Sequence, residues 1–191
     1  MALSESIFQV RGVLYAAVRG WIRENFSNER YLDFLGNLPK NLYERMVIFE
    51  AEEWYPAQDV YPVYEYLIEY LRPEMSEAEI IKDIVGYMFK KSVTGFLRTL
   101  VAFLSPSNLI KRATSFWLQV HSQGRIETEK IRDKYLIVQL HEWKAHRISC
   151  LIFERWMCEL LHLAGGINIL TKKVGCALKG DDACRWEVIY E

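Results

Sequence analysis

At 191 residues the chain is one domain's worth of sequence, long enough to bury about 70% of the surface its unfolded form exposes. A hydrophobic share of 51% with 14% aromatics excludes a disordered protein, and a net charge of −1 excludes a general nucleic-acid binder, which needs a basic face. The start, Met1-Ala-Leu-Ser-Glu-Ser6, has no basic segment leading an apolar one, and the best apolar run, 96–104, is broken by Arg98, so neither a signal peptide nor a transmembrane segment is expected. A cytoplasmic protein is expected.

The first 110 residues read as helical. Over 7–26, Val10, Val13, Leu14, Ala17, Val18, Trp21 and Ile22 recur at helical spacing. A short second helix is predicted to run to Leu35, where Gly36 stops it. Asn37-Leu-Pro-Lys-Asn41 reads as a turn, and 42–49 as another helix. Residues 50–56 break the pattern. It resumes over 60–71 until Arg72-Pro73. Ser76-Glu-Ala-Glu79 is a capping box, in which the serine and glutamate side chains each bond the other's backbone amide. It opens a helix predicted to reach about Ser92, with further helices over 93–104 and 108–114.

From 116 the period changes from 3.6 to 2. Phe116, Leu118 and Val120 alternate with Trp117, Gln119 and His121, which predicts a strand. Residues 125–131 are polar on both faces, as an edge strand is. Residues 135–141 are apolar on both faces, as a strand covered on both sides is. Residues 149–163 return to helix, stopped at Ala164-Gly165-Gly166. Strands over 169–178 and 183–190 close the chain as a hairpin around Lys179-Gly-Asp-Asp182. The whole reads as a single α+β domain over 1–191: a helical part over 1–110, then a part over 111–191 with a mostly antiparallel sheet of four to five strands and an inserted helix.

The hairpin carries a cysteine on each arm. With its loop at 179–181, Cys176 stands opposite Cys184 on one face, and directly opposed side chains are about 4.5–5.5 Å apart at Cβ. Two such thiols could share a metal, line a pocket or simply pack. No secretory signal is visible, so all four cysteines, from Cys150 onward, are expected as free thiols or ligands.

Together, Trp117-x6-Gly124, strand 135–141, helix 149–163, Gly165-Gly166 and Cys176-x3-Gly180-Asp181-x2-Cys184-x-Trp186 resemble the 4-vinyl-reductase-type domain. That small ligand-binding module is related to the TRAPP trafficking subunits and to haem-based nitric-oxide sensors. The resemblance covers roughly 105–191, and Trp54-Tyr55-Pro56 is similar to the helical part of bacterial haem-NO-binding relatives. It implies a TRAPP-like or NO-signalling fold, a homodimer, and a buried apolar cavity. It also implies a zinc site of three cysteines and a glutamate, falling here on Cys150, Cys176 and Cys184, with Lys173 at the glutamate position. Lysine has no free lone pair when charged, so Cys158, His146 or His162 would have to replace it.

The aromatics Trp117, Tyr135, Phe153, Trp156 and Trp186, with Gln119 and His121 as polar groups, are candidates to line a ligand pocket. Haem is disfavoured, because no Cys-x-x-Cys-His motif and no haem-sensor signature occurs. Tyr64, Tyr66 and Tyr70 are candidates for a partner interface, where tyrosine is enriched. No P-loop, Gly-x-Ser-x-Gly, His-Glu-x-x-His or Gly-x-Gly-x-x-Gly is present, so no enzyme is expected. The expected function is a non-catalytic sensor that binds a small hydrophobic molecule or lipid chain and signals to a separate protein. The alternative is a TRAPP-like scaffold acting through protein contacts.

Overall fold

The computed structural model describes residues 7–92 and 112–191. The helix expected over 93–104, and most of that over 108–114, lie outside them.

The chain opens with a short strand where the sequence predicted helix. β1 (Gln9–Arg11) pairs antiparallel with β2 (Trp54–Pro56), Gln9 opposite Pro56 and Arg11 opposite Trp54. Long-range backbone bonds override the helical spacing here: Ala57 N donates to Phe8 O, Gly12 N to Glu53 O, and Arg11 N to Val120 O. Gly12 is required at the crossing, because a Cβ there would lie 2.1 Å from Glu50 O.

α1 (Val13–Asn25) then buries Leu14, Tyr15, Ala17, Val18, Trp21 and Ile22, the face its periodicity marked. α2 (Asn28–Gly36) is capped by Ser27, whose Oγ accepts from Arg30 N at 3.2 Å. α3 (Lys40–Ile48) follows. α4 (Ala57–Leu71) is buried on several sides. α5 (Glu77–Ser92) opens on the expected capping box: Ser76 N donates to Glu79 Oε2 at 2.8 Å, and Glu79 N to Ser76 Oγ at 3.3 Å.

The strand expected over 116–121 is instead a short helix, α6 (Ala113–Trp117), and a turn. Backbone amides of Val120 and His121 both donate to Trp117 O, and the Thr114 hydroxyl ties to the backbone of Ile126. These local bonds coil the segment, and its sheet-like contact is a single bridge between Val10 and His121.

β3 (Arg125–Arg132), β4 (Tyr135–His141), β5 (Leu170–Gly175) and β6 (Cys184–Ile189) form an antiparallel sheet in the order β3-β4-β6-β5. β3 is an edge, as its polarity implied. β4 is central, but only one of its faces is fully covered: Leu136, Val138 and Leu140 are buried while the residues between them are half-exposed. α7 (Arg147–Leu163) crosses the covered face and packs on α4 and α5 from the other side. The result is α+β, a helical layer joined to a four-stranded sheet through one helix. No helix among the described residues is long and apolar enough to cross a membrane.

Candidate functional site

Where α6 meets the helical layer, the His121 ring stacks parallel on that of Trp117, 3.4 Å between centroids. Its hydrogen-bond partners settle its tautomer. Nδ1 is 3.2 Å from Trp117 O, which can only accept, so Nδ1 carries the proton. Nε2 therefore accepts from Tyr61 Oη at 3.0 Å. Burial pushes the imidazole pKa down from 6.5 to about 3, and burial likewise raises that of Tyr61. Trp143 stands edge-on to both rings and donates Nε1–H to Ser149 Oγ at 3.0 Å, at the start of α7. Gly124 permits the turn below: φ is +114°, and a Cβ would lie 2.6 Å from Trp117 Nε1. The cluster is neutral and fully bonded, which suits a structural joint better than proton transfer.

From this joint the aromatics continue under the sheet. Phe153 of α7 lies 5.4 Å from Trp117 and 5.0 Å from Trp186 of β6, with Trp156 at 6.1 Å. Beside them is an apolar cavity of about 20 Å³ lined by Ala113, Ile126, Val138, Phe153, Met157 and Leu160, among others. That is room for about one water. Of the expected pocket residues, Trp117, His121, Phe153, Trp156 and Trp186 thus come together. Gln119 does not, being exposed in the turn after α6. Nor does Tyr135, half-buried where β4 begins, with the Arg132 guanidinium 5.5 Å over its ring.

The tyrosines expected at a partner surface part company. Tyr64 is fully buried and donates to Leu14 O at 2.8 Å, so it cannot present a free face. Tyr70 donates to Asp33 Oδ2 at 2.7 Å, and Tyr66 is exposed.

The hairpin cysteines meet the helix as the spacing suggested. Sγ atoms of Cys150 (α7), Cys176 and Cys184 (β6) all lie within 4.8 Å of one another, Cys150 and Cys184 at 3.7 Å. Beyond a bulge in β5, Gly175 pairs with Arg185, which brings Cys176 abreast of Cys184. A 3-10 turn over Ala177–Lys179 and Gly180 at φ +102° close the hairpin; Ala177 N donates to Cys184 Sγ at 3.3 Å and Cys176 N to Asp181 Oδ2 at 2.6 Å. Lys173 sits on the inner face of β5, its Nζ 3.2 Å from Cys176 Sγ and 5.3 Å over the Trp186 ring. Burial opposes the charge on Lys173, yet its sulfur neighbours outweigh it and raise the pKa. The Cys150 thiol is drawn down from 9.0 to about 7, first by its hydrogen bond with Cys184 and, against burial, by Lys173. That same bond, with burial, raises Cys184.

The residues would not complete a structural zinc centre, which is closed by four protein donors. Among the described residues no histidine or carboxylate joins the three sulfurs, and the side chain beside them is an ammonium. His146, offered as a replacement, caps α7 by accepting from Ile148 N at 3.2 Å. His162 is exposed, and Cys158 is outside the cluster.

Two parts of the site were missed in the sequence. Tyr61 as the partner of His121 had no local signal, being 60 residues away. Glu154, which accepts from Trp186 Nε1 at 3.1 Å and Thr171 Oγ1 at 2.7 Å, was legible as the carboxylate directly after the apolar run Leu151–Phe153, and ties α7 to both β5 and β6.

No family model matches the chain, and no curated protein does. Solved structures do. An H-NOX protein from S. oneidensis in the Fe(II)NO ligation state is 12% identical with a TM-score of 0.70, over 95% of this chain and 99% of that one. Unliganded Fe(II) H-NOX from K. algicida is 8% identical with a TM-score of 0.69, over 95% and 96%. A third structure, from work on haem redox potential and porphyrin distortion, is 14% identical with a TM-score of 0.60, over 95% and 99%.

These matches correct two expectations. The 4-vinyl-reductase and TRAPP-like assignment is overturned, because the fold is similar to that of H-NOX structures over 95% of the chain; a hairpin's spacing reports one ribbon, not the layers around it. The setting aside of haem is overturned too, since solved proteins of this fold were studied in Fe(II)NO and Fe(II)CO states. A missing local motif is no ground for dismissing a group held by a whole fold. The side chains described here do not by themselves form a seat for it: the cavity holds about one water. His121 uses both nitrogens and His146 caps α7. His141 Nε2 is buried without a hydrogen-bond partner, 3.1 Å from Glu127, and His162 is exposed; neither lines the apolar cavity. By its fold the chain is similar, over nearly its full length, to H-NOX proteins.

Proposed function

We propose that the chain is a non-catalytic sensor domain in which α7 carries the state of the sheet's inner face to the helical layer, where a separate protein reads it. The supporting observation is the placement of α7. Its first turn holds Arg147, whose Nε and Nη1 reach Glu65 of α4 at 2.9 Å and Glu77 of α5 at 2.6 Å. The next turn of the same helix touches the sheet through Cys150, Phe153 and Glu154. A guest that binds one docking of α7 more tightly than another therefore shifts both layers together. The likeness to H-NOX structures, which include liganded states, favours such a domain. A lipid chain finds no support in a cavity of about 20 Å³. The scaffold alternative loses its basis with the TRAPP likeness. Free cysteines accord with a reducing compartment and hence with a cytoplasmic place.

Native mass spectrometry of the purified chain tests this reading. A retained non-covalent guest, released on denaturation and identified by its mass as haem or another small molecule, is the expected result. A spectrum of bare chain from cells supplied with haem precursor would contradict it. The same spectrum measures whether the reporting assembly is a homodimer.

A further inference from the structure

The sheet has a second face, turned away from α7, on which the register sets out the side chains in rows. One row runs from β5 to β3 through Leu170, Ile189, Tyr135 and Arg132. The next runs through Lys172, Glu187, Ile137 and Glu129. The described residues leave the first row open to water: Leu170 is 66% exposed and Ile189 41%. Elsewhere on this face Glu127 is engaged by Arg125 and His141, and Arg185 by Asp182 and Gln139. Lys172 and Glu129, by contrast, have no ion-pair partner among the described residues. A cation on one edge strand and an anion on the other therefore stand unanswered, in the same row.

That division of charge selects the occupant. An anionic surface would be repelled by Glu127, Glu129 and Glu187, which this face presents. A second copy of the same face carries its own complement. Two symmetric stackings are open to it. A two-fold axis across the strands would lay each edge strand on its own counterpart, Lys172 over Lys172 and Glu129 over Glu129, which is repulsive. An axis along the strands lays β5 over the partner's β3 and β6 over the partner's β4. Lys172 then meets the partner's Glu129, and Ile189 meets the partner's Tyr135, each contact made twice. Leu170 lies along the aliphatic stem of the partner's Arg132. Stacked sheets stand about 10 Å apart, a gap that side chains of these lengths fill.

We infer that the chain self-associates through this outer sheet face, as a two-fold dimer whose axis runs along the strands and whose alignment is set by Lys172 with Glu129. Glu187, inside the stack beside Lys172, must be desolvated, and a four-stranded face is small. The dimer is therefore one that forms with concentration, not an obligate one. It leaves the helical layer, beyond α7, uncovered in both copies.

Sedimentation velocity of the full chain under reducing conditions, over a concentration series through the micromolar range, tests this. The expected result is a monomer–dimer equilibrium. Lys172→Glu and Glu129→Lys should each weaken it about tenfold, because the two-fold axis doubles every lost pair and adds repulsion. Combining them restores opposite charges and should bring the dissociation constant back to within about threefold of wild type. Leu170→Asp, at an exposed side chain, should abolish the dimer while leaving the melting temperature nearly unchanged. A chain that stays monomeric throughout, single reversals without effect, or a double reversal no better than the singles would each overturn the inference. None of these readouts needs a guest, so the dimer and the sensor reading fail separately.

Discussion

Burial of His121 between Tyr61 and the Trp117 carbonyl sets how the protein meets acid. The imidazole titrates near 6.5 in the unfolded chain and near 3 in the fold. Below 6.5 the unfolded state therefore binds a proton that the folded state refuses, and stability falls with pH through the interval down to about 3. His146 adds in the same direction, since burial lowers its pKa against the pull of Glu65. Urea unfolding at pH 7 and pH 4.5 should show a loss of about 2–3 kcal/mol, most of it absent in His121→Phe. Equal stability at the two pH values would mean the ring is charged or solvated in the fold. At this scale the sequence spoke unevenly. Cys176 and Cys184 were legible because ribbon spacing is local and rigid, whereas Cys150, on α7, joined them only through the resemblance. Tyr64 was misread as surface because four tyrosines on one helix suggest an exposed face, whereas contacts from α1 bury it.

α7 is the element on which both layers depend, and its two ends differ in kind. Toward the sheet it is held by buried aromatics, and offset or edge-on pairs such as Phe153 with Trp186 add about 0.5–1.5 kcal/mol each beyond burial. Toward the helices it packs on α4 and α5, and its first turn adds Arg147, half-exposed, on two half-exposed carboxylates. Solvent screens that fork, so Arg147→Ala should lower stability by less than about 1 kcal/mol in urea unfolding. A loss above about 3 kcal/mol would show the fork to be a buried support instead of a link. Long elements such as α1, α5, β4 and α7 were readable because their burial patterns repeat over several turns or pleats. β1 and α6 were not. Three residues are too few to show a period, and the alternation over 116–121 was overridden by local backbone bonds to Thr114 O and Trp117 O.

At the scale of the whole molecule, the order of helices then sheet was enough for an α+β assignment, and a ribbon of cysteines, glycine and aspartate pointed to the wrong relatives. The likeness that held lies in the stacking of layers, and at 8–14% identity few individual residues carry it. What makes this stacking a sensor in our account is transmission from the sheet through α7 to α4 and α5. Hydrogen–deuterium exchange, compared between the chain carrying its retained guest and the same chain refolded without it, measures that transmission directly. The account expects slowed exchange in α7 and also across Ala57–Leu71 and Glu77–Ser92, with the distant part lost in Arg147→Ala. Protection confined to the sheet and α7, with the two helices unchanged, would contradict it.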